Sequence, residues 1–201
     1  MLLRKSMLSF INKKIIAALW GLLSFCYPML IYFLSDDIPA AHLMIGAIVL
    51  LGLRALLPLV NKGMSINFME KSSLILCMAV TLMMMALYQW DSEKAPTFYP
   101  MIMSLSVAGL FGYTLMSPPS MIERFARLSE PDLGPKGIEY TRKVTVIWMI
   151  FCLTNSAISL ITIILNHRGL WVLYNGCISY VLMGALMMGE FIFRRHHKAN
   201  T

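Results

Sequence analysis

Two ionisable side chains, Arg54 and Glu190, lie inside otherwise apolar runs. They are where intramembrane chemistry would begin, because a charge within a span is costly and marks a functional candidate by default. Arg54 precedes Asn61 by about two helical turns, and Glu190 precedes Arg194-Arg195 by about one turn. The two therefore reach similar depth in the same half of a bilayer. An Arg54–Glu190 pair would neutralise both charges and hold its two helices together. Facing a cavity, the same groups could pass a proton or hold a charged substrate. The plainer reading lets Arg54 snorkel to lipid phosphate while Glu190 pairs with Arg194 one turn on. Asn155, Asn175 and Tyr174 form a weaker set of intramembrane polar candidates, since an amide in lipid usually bonds to a neighbouring helix.

The longest polar stretch, 117–143, carries the second group of candidates. Ser120-x-x-Glu123 has capping-box spacing, directly after Pro118-Pro119. Met121, Ile122, Phe125 and Leu128 fall on one helical face, and Glu123, Arg124 and Arg127 on the other. This pattern predicts a short amphipathic helix on the membrane surface. Glu130-Pro131-Asp132-Leu133-Gly134-Pro135 breaks it, and a new helix start at Pro135 runs through Arg142 into the next span. Glu123, Arg124, Arg127 and Arg142 are accordingly candidates for docking a cytoplasmic partner or a phospholipid head group. The alternative is an ordered loop with solvated charges.

Catalytic and metal chemistry finds little to work with. There is no Gly-rich phosphate loop, no His-Glu-x-x-His and no nucleophile elbow. The cysteines Cys26, Cys77, Cys152 and Cys177 are far apart in apolar runs, without zinc or redox spacing. His42 and His167 stand alone, and His196-His197 sit in a polar tail. No catalytic residue, metal site or cofactor is therefore assigned. The 18 methionines, including Met83-Met84-Met85, read as lipid-facing or gap-filling side chains.

The elements that would position these residues are set by composition. Of 201 residues, 58% are hydrophobic and 13% charged, against about 25% charged in a soluble domain. A chain of this size could not hide that much apolar surface from water. Six runs are long enough to cross a hydrocarbon core, at about 15–34, 40–60, 72–90, 98–117, 144–165 and 170–193. Helices satisfy every backbone polar group within the span, and no ten-residue alternation of the kind a β-barrel needs is present. The fold class expected is an all-α polytopic membrane protein of about six transmembrane helices, in one membrane domain. Trp20, Trp90, Trp148 and Trp171 lie near span ends, as interfacial anchors do.

Positive charge sets the expected orientation. Arg4, Lys5, Lys13, Lys14, Lys62, Lys71, Arg124, Arg127, Lys136, Arg142, Lys143, Arg194, Arg195 and Lys198 fall on one side, Lys94 and Arg168 on the other. Both termini and the 117–143 segment are thus expected in the cytoplasm (N-in/C-in). The net charge of +7 is then a topology signal, and nucleic acid is not an expected partner. Residues 1–12 suit a short surface helix, and the first span is too long for a cleaved signal peptide.

The run Pro118-Pro119-Ser120-Met121-Ile122-Glu123-Arg124-Phe125-Ala126-Arg127-Leu128, then Glu130-Pro131-Asp132-Leu133, Tyr140-Thr141-Arg142-Lys143-Val144-Thr145 and Leu173-Tyr174-Asn175-Gly176, resembles an uncharacterised family of bacterial inner-membrane proteins. Its members are often encoded beside fatty-acid-like synthesis genes of the aryl polyene type. The resemblance implies a bacterial inner-membrane location and a role near lipid or polyene assembly, and it supplies no catalytic residue. The leading expectation is a non-enzymatic accessory or scaffold protein that docks cytoplasmic acyl-carrier or acyltransferase proteins, or hands their product to the phospholipid bilayer. The rivals are a small transporter or lipid-flipping protein using Arg54 and Glu190, with a homo-oligomer as one possible form, and a membrane enzyme acting on acyl or prenyl chains.

Overall fold

The structure is a computed structural model and describes residues 46, 49, 68–128 and 130–199. The expected spans at 15–34 and 40–60, apart from Gly46 and Val49, lie outside the described residues, as do Arg54, Cys26, Trp20 and the surface helix of residues 1–12. The described residues are helical, without a strand.

α1 (Phe68–Trp90) is rich in Leu, Met and Ala, which lose little rotamer freedom in a helix. A short 3-10 turn (Ala95–Phe98) leads into α2 (Tyr99–Met116), which has a proline in its opening positions; proline fits there because those amides have no intrahelical acceptor. Pro118-Pro119 stop α2. The short α3 (Met121–Arg127) precedes α4 (Pro135–Ile164), whose start is marked by Gly134 and Pro135. Beyond the end of α4 comes Asn166, whose φ of 51° is a left-handed conformation that asparagine tolerates better than most residues. His167 then caps α5 (Arg168–Leu173) by accepting the Leu170 amide on Nδ1 at 3.2 Å. A π-helical segment, Tyr174–Ile178, joins α5 to α6 (Ser179–Ala199). The sixth expected span, 170–193, is therefore not one regular α-helix. A π-bulge widens the hydrogen-bond ring where Asn175 sits.

Among the described residues three helical stretches are long and apolar enough to cross a membrane: Ala95–Met116, Pro135–Ile164 and Arg168–Arg194. The shorter apolar helix Leu74–Trp90 stands beside them. At about 1.5 Å per residue, the 22 residues of the first give roughly 33 Å, enough for a hydrocarbon core of about 30 Å. The 30 residues of α4 exceed that need, so its first turns project beyond the core.

Many buried positions are polar, and many exposed ones are large and apolar. Thr114, Thr145, Ser159 and Asn175 are almost completely buried, while Met116, Ile164, Val181, Met187 and Phe193 are exposed. Water would penalise this distribution; lipid favours it. α2 and α4 make the most extensive pairing, and Gly112 lets them approach, since a Cβ there would lie 3.3 Å from Met149 Sδ. An apolar cluster of Val80, Met84, Tyr99, Ile102 and Trp171 closes the end near Asp91. Trp171, expected as an interfacial anchor, is instead buried and donates through Nε1 to the Thr97 carbonyl at 3.0 Å. At the opposite end, the Tyr140 and Phe193 rings stack with centroids 6.1 Å apart. The helices thus run up and down between two ends.

Candidate functional site

Two places gather the polar side chains. The first lies midway along α4. Cys152, Asn155, Ser156, Ser159 and Thr162 recur at helical spacing and are all buried. Asn155 donates through Nδ2 to Ser104 Oγ of α2 at 2.8 Å and accepts from the Tyr174 hydroxyl at 2.9 Å. Ser156 Oγ donates to the Met101 carbonyl at 3.1 Å. In the π segment, Asn175 Nδ2 donates to the Trp171 carbonyl at 2.9 Å and to Thr162 Oγ1 at 3.3 Å. The structure therefore brings Asn155, Tyr174 and Asn175 into one layer that fastens α2, α4 and the α5–α6 junction. Such bonds replace water that lipid cannot supply. The serines and threonines were not singled out from sequence, although the i, i+4, i+7 stripe of Asn155, Ser159 and Thr162 through an apolar helix is the signal that marks them.

The second place is the end that carries α3. Two span hydroxyls take the opening amides of this helix. Met121 N donates to Thr114 Oγ1 at 3.0 Å, and Ile122 N to Thr145 Oγ1 at 3.3 Å. Both threonines are themselves fixed, Thr114 on the Phe111 carbonyl and Thr145 on the Thr141 carbonyl. Glu123 makes its half of the capping box, accepting the Ser120 amide on Oε2 at 3.3 Å. Glu123 was expected on the outward charged face. It is only 5% exposed, because its carboxylate also accepts from Arg127 Nε at 2.9 Å and Nη2 at 2.8 Å. Arg127 further reaches the Pro131 carbonyl at 3.0 Å. Arg124 donates through Nε to the Pro119 carbonyl at 2.8 Å, and its guanidinium lies 3.6 Å from the Phe68 ring centroid, a cation–π geometry.

Phe125 and Leu128, expected on the apolar face of a helix lying on the membrane surface, are exposed on the protein. The capping geometry rotates α3 so that Met121, Glu123 and Ala126 face inward. Of the docking candidates, Arg142 is the one that lies open on the surface, near the exposed Lys136 and the Lys143–Glu139 pair at 2.8 Å.

A cavity of about 180 Å³ opens between α3, the turn before α4, the first turns of α4 and the end of α6. Ile122, Ala126, Leu133 and Gly137 give it an apolar part, and Glu130, Lys136, Tyr140, Thr141, Glu190 and Arg194 a polar one. Glu190 is thus placed with Arg194 on this cavity; the proposed Arg54 partner lies outside the described residues. Glu190 forms no ion pair with a described residue, Arg194 one turn on included. Among the described residues no cluster of three His, Cys, Asp or Glu could hold a metal. Cys152 and Cys177 are free thiols.

No family model, curated protein or solved structure matches the chain. Its function must be argued from these two sites.

Proposed function

We propose that the chain is a six-span inner-membrane protein of a bacterium with both termini and the α3–α4 segment in the cytoplasm, acting as a non-enzymatic accessory. It docks cytoplasmic acyl-carrier or acyltransferase proteins and helps pass their product into the bilayer. The observation that carries this reading is the attachment of α3 to two spans through Thr114 and Thr145. A surface held this firmly loses little freedom on binding. It presents Lys136, Arg142 and Lys143, all exposed, to an acidic partner. Buried Glu123 with Arg124 and Arg127 builds that surface rather than forming its contact points. Orientation is supported by the fourteen Lys and Arg residues named above for one side against two for the other. The test is co-purification from membranes. Acyl-carrier or acyltransferase proteins should accompany the wild type and be lost from Lys136→Glu/Arg142→Glu. Unchanged capture by the doubly reversed protein ends the docking role.

A second reading, a small transporter or lipid-flipping protein, draws on Glu190 lining a cavity that opens at one end of the bundle. Reconstituted vesicles would decide it. Glu190→Gln should abolish lipid scrambling or solute uptake that the wild type supports.

A further inference from the structure

We propose that the cavity between α3, α4 and α6 is a binding site for a phosphoethanolamine group, carried by a phospholipid of the adjoining leaflet or by a free phosphate ester. Its lining has two cations, Lys136 and Arg194, and two carboxylates, Glu130 and Glu190. A lone anion would lie beside two like charges, and a lone cation beside two of its own. A zwitterion satisfies both signs. The guanidinium of Arg194 and the ammonium of Lys136 suit phosphate. The carboxylate of Glu190 suits a primary ammonium with its three N–H donors.

Glu190 and Arg194 sit one turn apart on α6, yet neither forms an ion pair with a described residue. Among the described residues, no ion pair competes with a ligand for either group.

Size and position choose the ligand further. At roughly 30 Å³ per water, the 180 Å³ cavity equals about six waters. That is below the roughly 300 Å³ at which sites for drug-sized ligands begin, so it admits a head group and excludes acyl chains. The chains have a place outside it, along the exposed Met187, Phe191 and Phe193 of α6. A choline head group adds three methyl groups and removes every N–H donor, so it should fit worse. A glycerol head group brings no positive charge for Glu190.

The test uses the full chain reconstituted in vesicles containing equal parts of phosphatidylethanolamine, phosphatidylcholine and phosphatidylglycerol, with retained lipid read by native mass spectrometry. Phosphatidylethanolamine should be enriched, and Glu190→Gln and Arg194→Gln should each cut that enrichment about tenfold, the loss of one charge-assisted contact. Lys94→Gln, at the opposite end, should leave it unchanged, and circular dichroism confirms that the variants remain helical. Displacement of the lipid by free phosphoethanolamine supports head-group recognition. Binding of the free ester without any retained phospholipid assigns the same site to a soluble source. Equal retention of the three lipids without binding of the free ester, or variants that retain phosphatidylethanolamine as the wild type does, overturns the site. The readout involves no protein partner, so it can fail while docking stands, and stand while docking fails.

Discussion

The hydroxyl of Tyr174 donates to Oδ1 of Asn155 at 2.9 Å, joining the π segment to the middle of α4. Because Asn155 also binds Ser104, one carboxamide links three helical segments. Side-chain hydrogen bonds between spans average about 0.6 kcal/mol, so Tyr174→Phe should cost about that much. Asn155→Leu should cost more, about 2 kcal/mol, since it strands both the phenol and the Ser104 hydroxyl. The double variant should be less damaged than the sum of the two. Reversible unfolding in detergent micelles measures all three, and strict additivity would show that the bond contributes nothing of its own.

Arg127 and Glu123 should respond unequally to truncation. Arg127 is 37% exposed in its side chain and Glu123 only 7%. Arg127→Ala leaves a buried carboxylate without its guanidinium, a loss of about 3 kcal/mol. Glu123→Gln keeps an acceptor for the Ser120 amide and frees a cation that can turn to water, so about 1 kcal/mol is expected. Thermal unfolding followed by circular dichroism should rank Arg127→Ala as clearly the less stable. The reverse order would mean that the carboxylate is hydrated rather than buried.

Glu123 also shows how far the sequence is legible. Span character survives translation into structure because it depends on summed apolarity along a run, and among the described residues three stretches carry it through. Rotation of a seven-residue helix does not, because it depends on where two distant hydroxyls, Thr114 and Thr145, meet its amides. Hence Glu123, placed by spacing on the charged face with Arg124 and Arg127, is buried while they remain half-exposed. The polar layer was half visible. Asn155, Asn175 and Tyr174 stand out in apolar runs, whereas Ser104 gives no local sign that it faces Asn155, 51 residues away.

The turn after α1 should loosen in acid. Asp91 accepts the Lys94 amide at 3.0 Å and the Glu93 amide at 3.1 Å. Led by the bond from Lys94, these contacts hold its carboxyl below the ordinary value of 3.8. A carboxylate with a depressed folded pKa supports the fold above its unfolded pKa, and that support disappears as pH falls through the folded value. The protection of the Glu93 and Lys94 amides, corrected for intrinsic exchange, should therefore decline between about pH 5 and about pH 2. In Asp91→Asn, which can form the same turn without titrating, protection should not vary with pH. A carboxyl titration midpoint above 3.8 would contradict the assignment.

Labelling access tests the proposed orientation. Lys136 and Glu93 are both exposed at opposite ends of the described bundle. In intact cells of a variant lacking other thiols, Glu93→Cys should react with a membrane-impermeant maleimide. Lys136→Cys should react only after the membrane is opened. The inverse pattern would place α3 outside the cell and remove every cytoplasmic partner proposed for it.

Gly112 sets two effects against each other at the α2–α4 contact. Alanine in a helix interior is favoured over glycine by about 1 kcal/mol. Its Cβ would lie 3.3 Å from Met149 Sδ, a tight contact with the flexible part of a side chain that can shift by a few tenths of an ångström. Gly112→Ala should therefore be nearly neutral, with the propensity gain offsetting the crowding. Leucine has no such escape, because its branch must displace Met149 and the backbone behind it, at about 1–3 kcal/mol. Shortening the opposing side chain should recover part of this loss, so Gly112→Leu/Met149→Ala should unfold at a higher temperature than Gly112→Leu alone. If the second substitution makes matters worse, the two helices do not meet at this glycine.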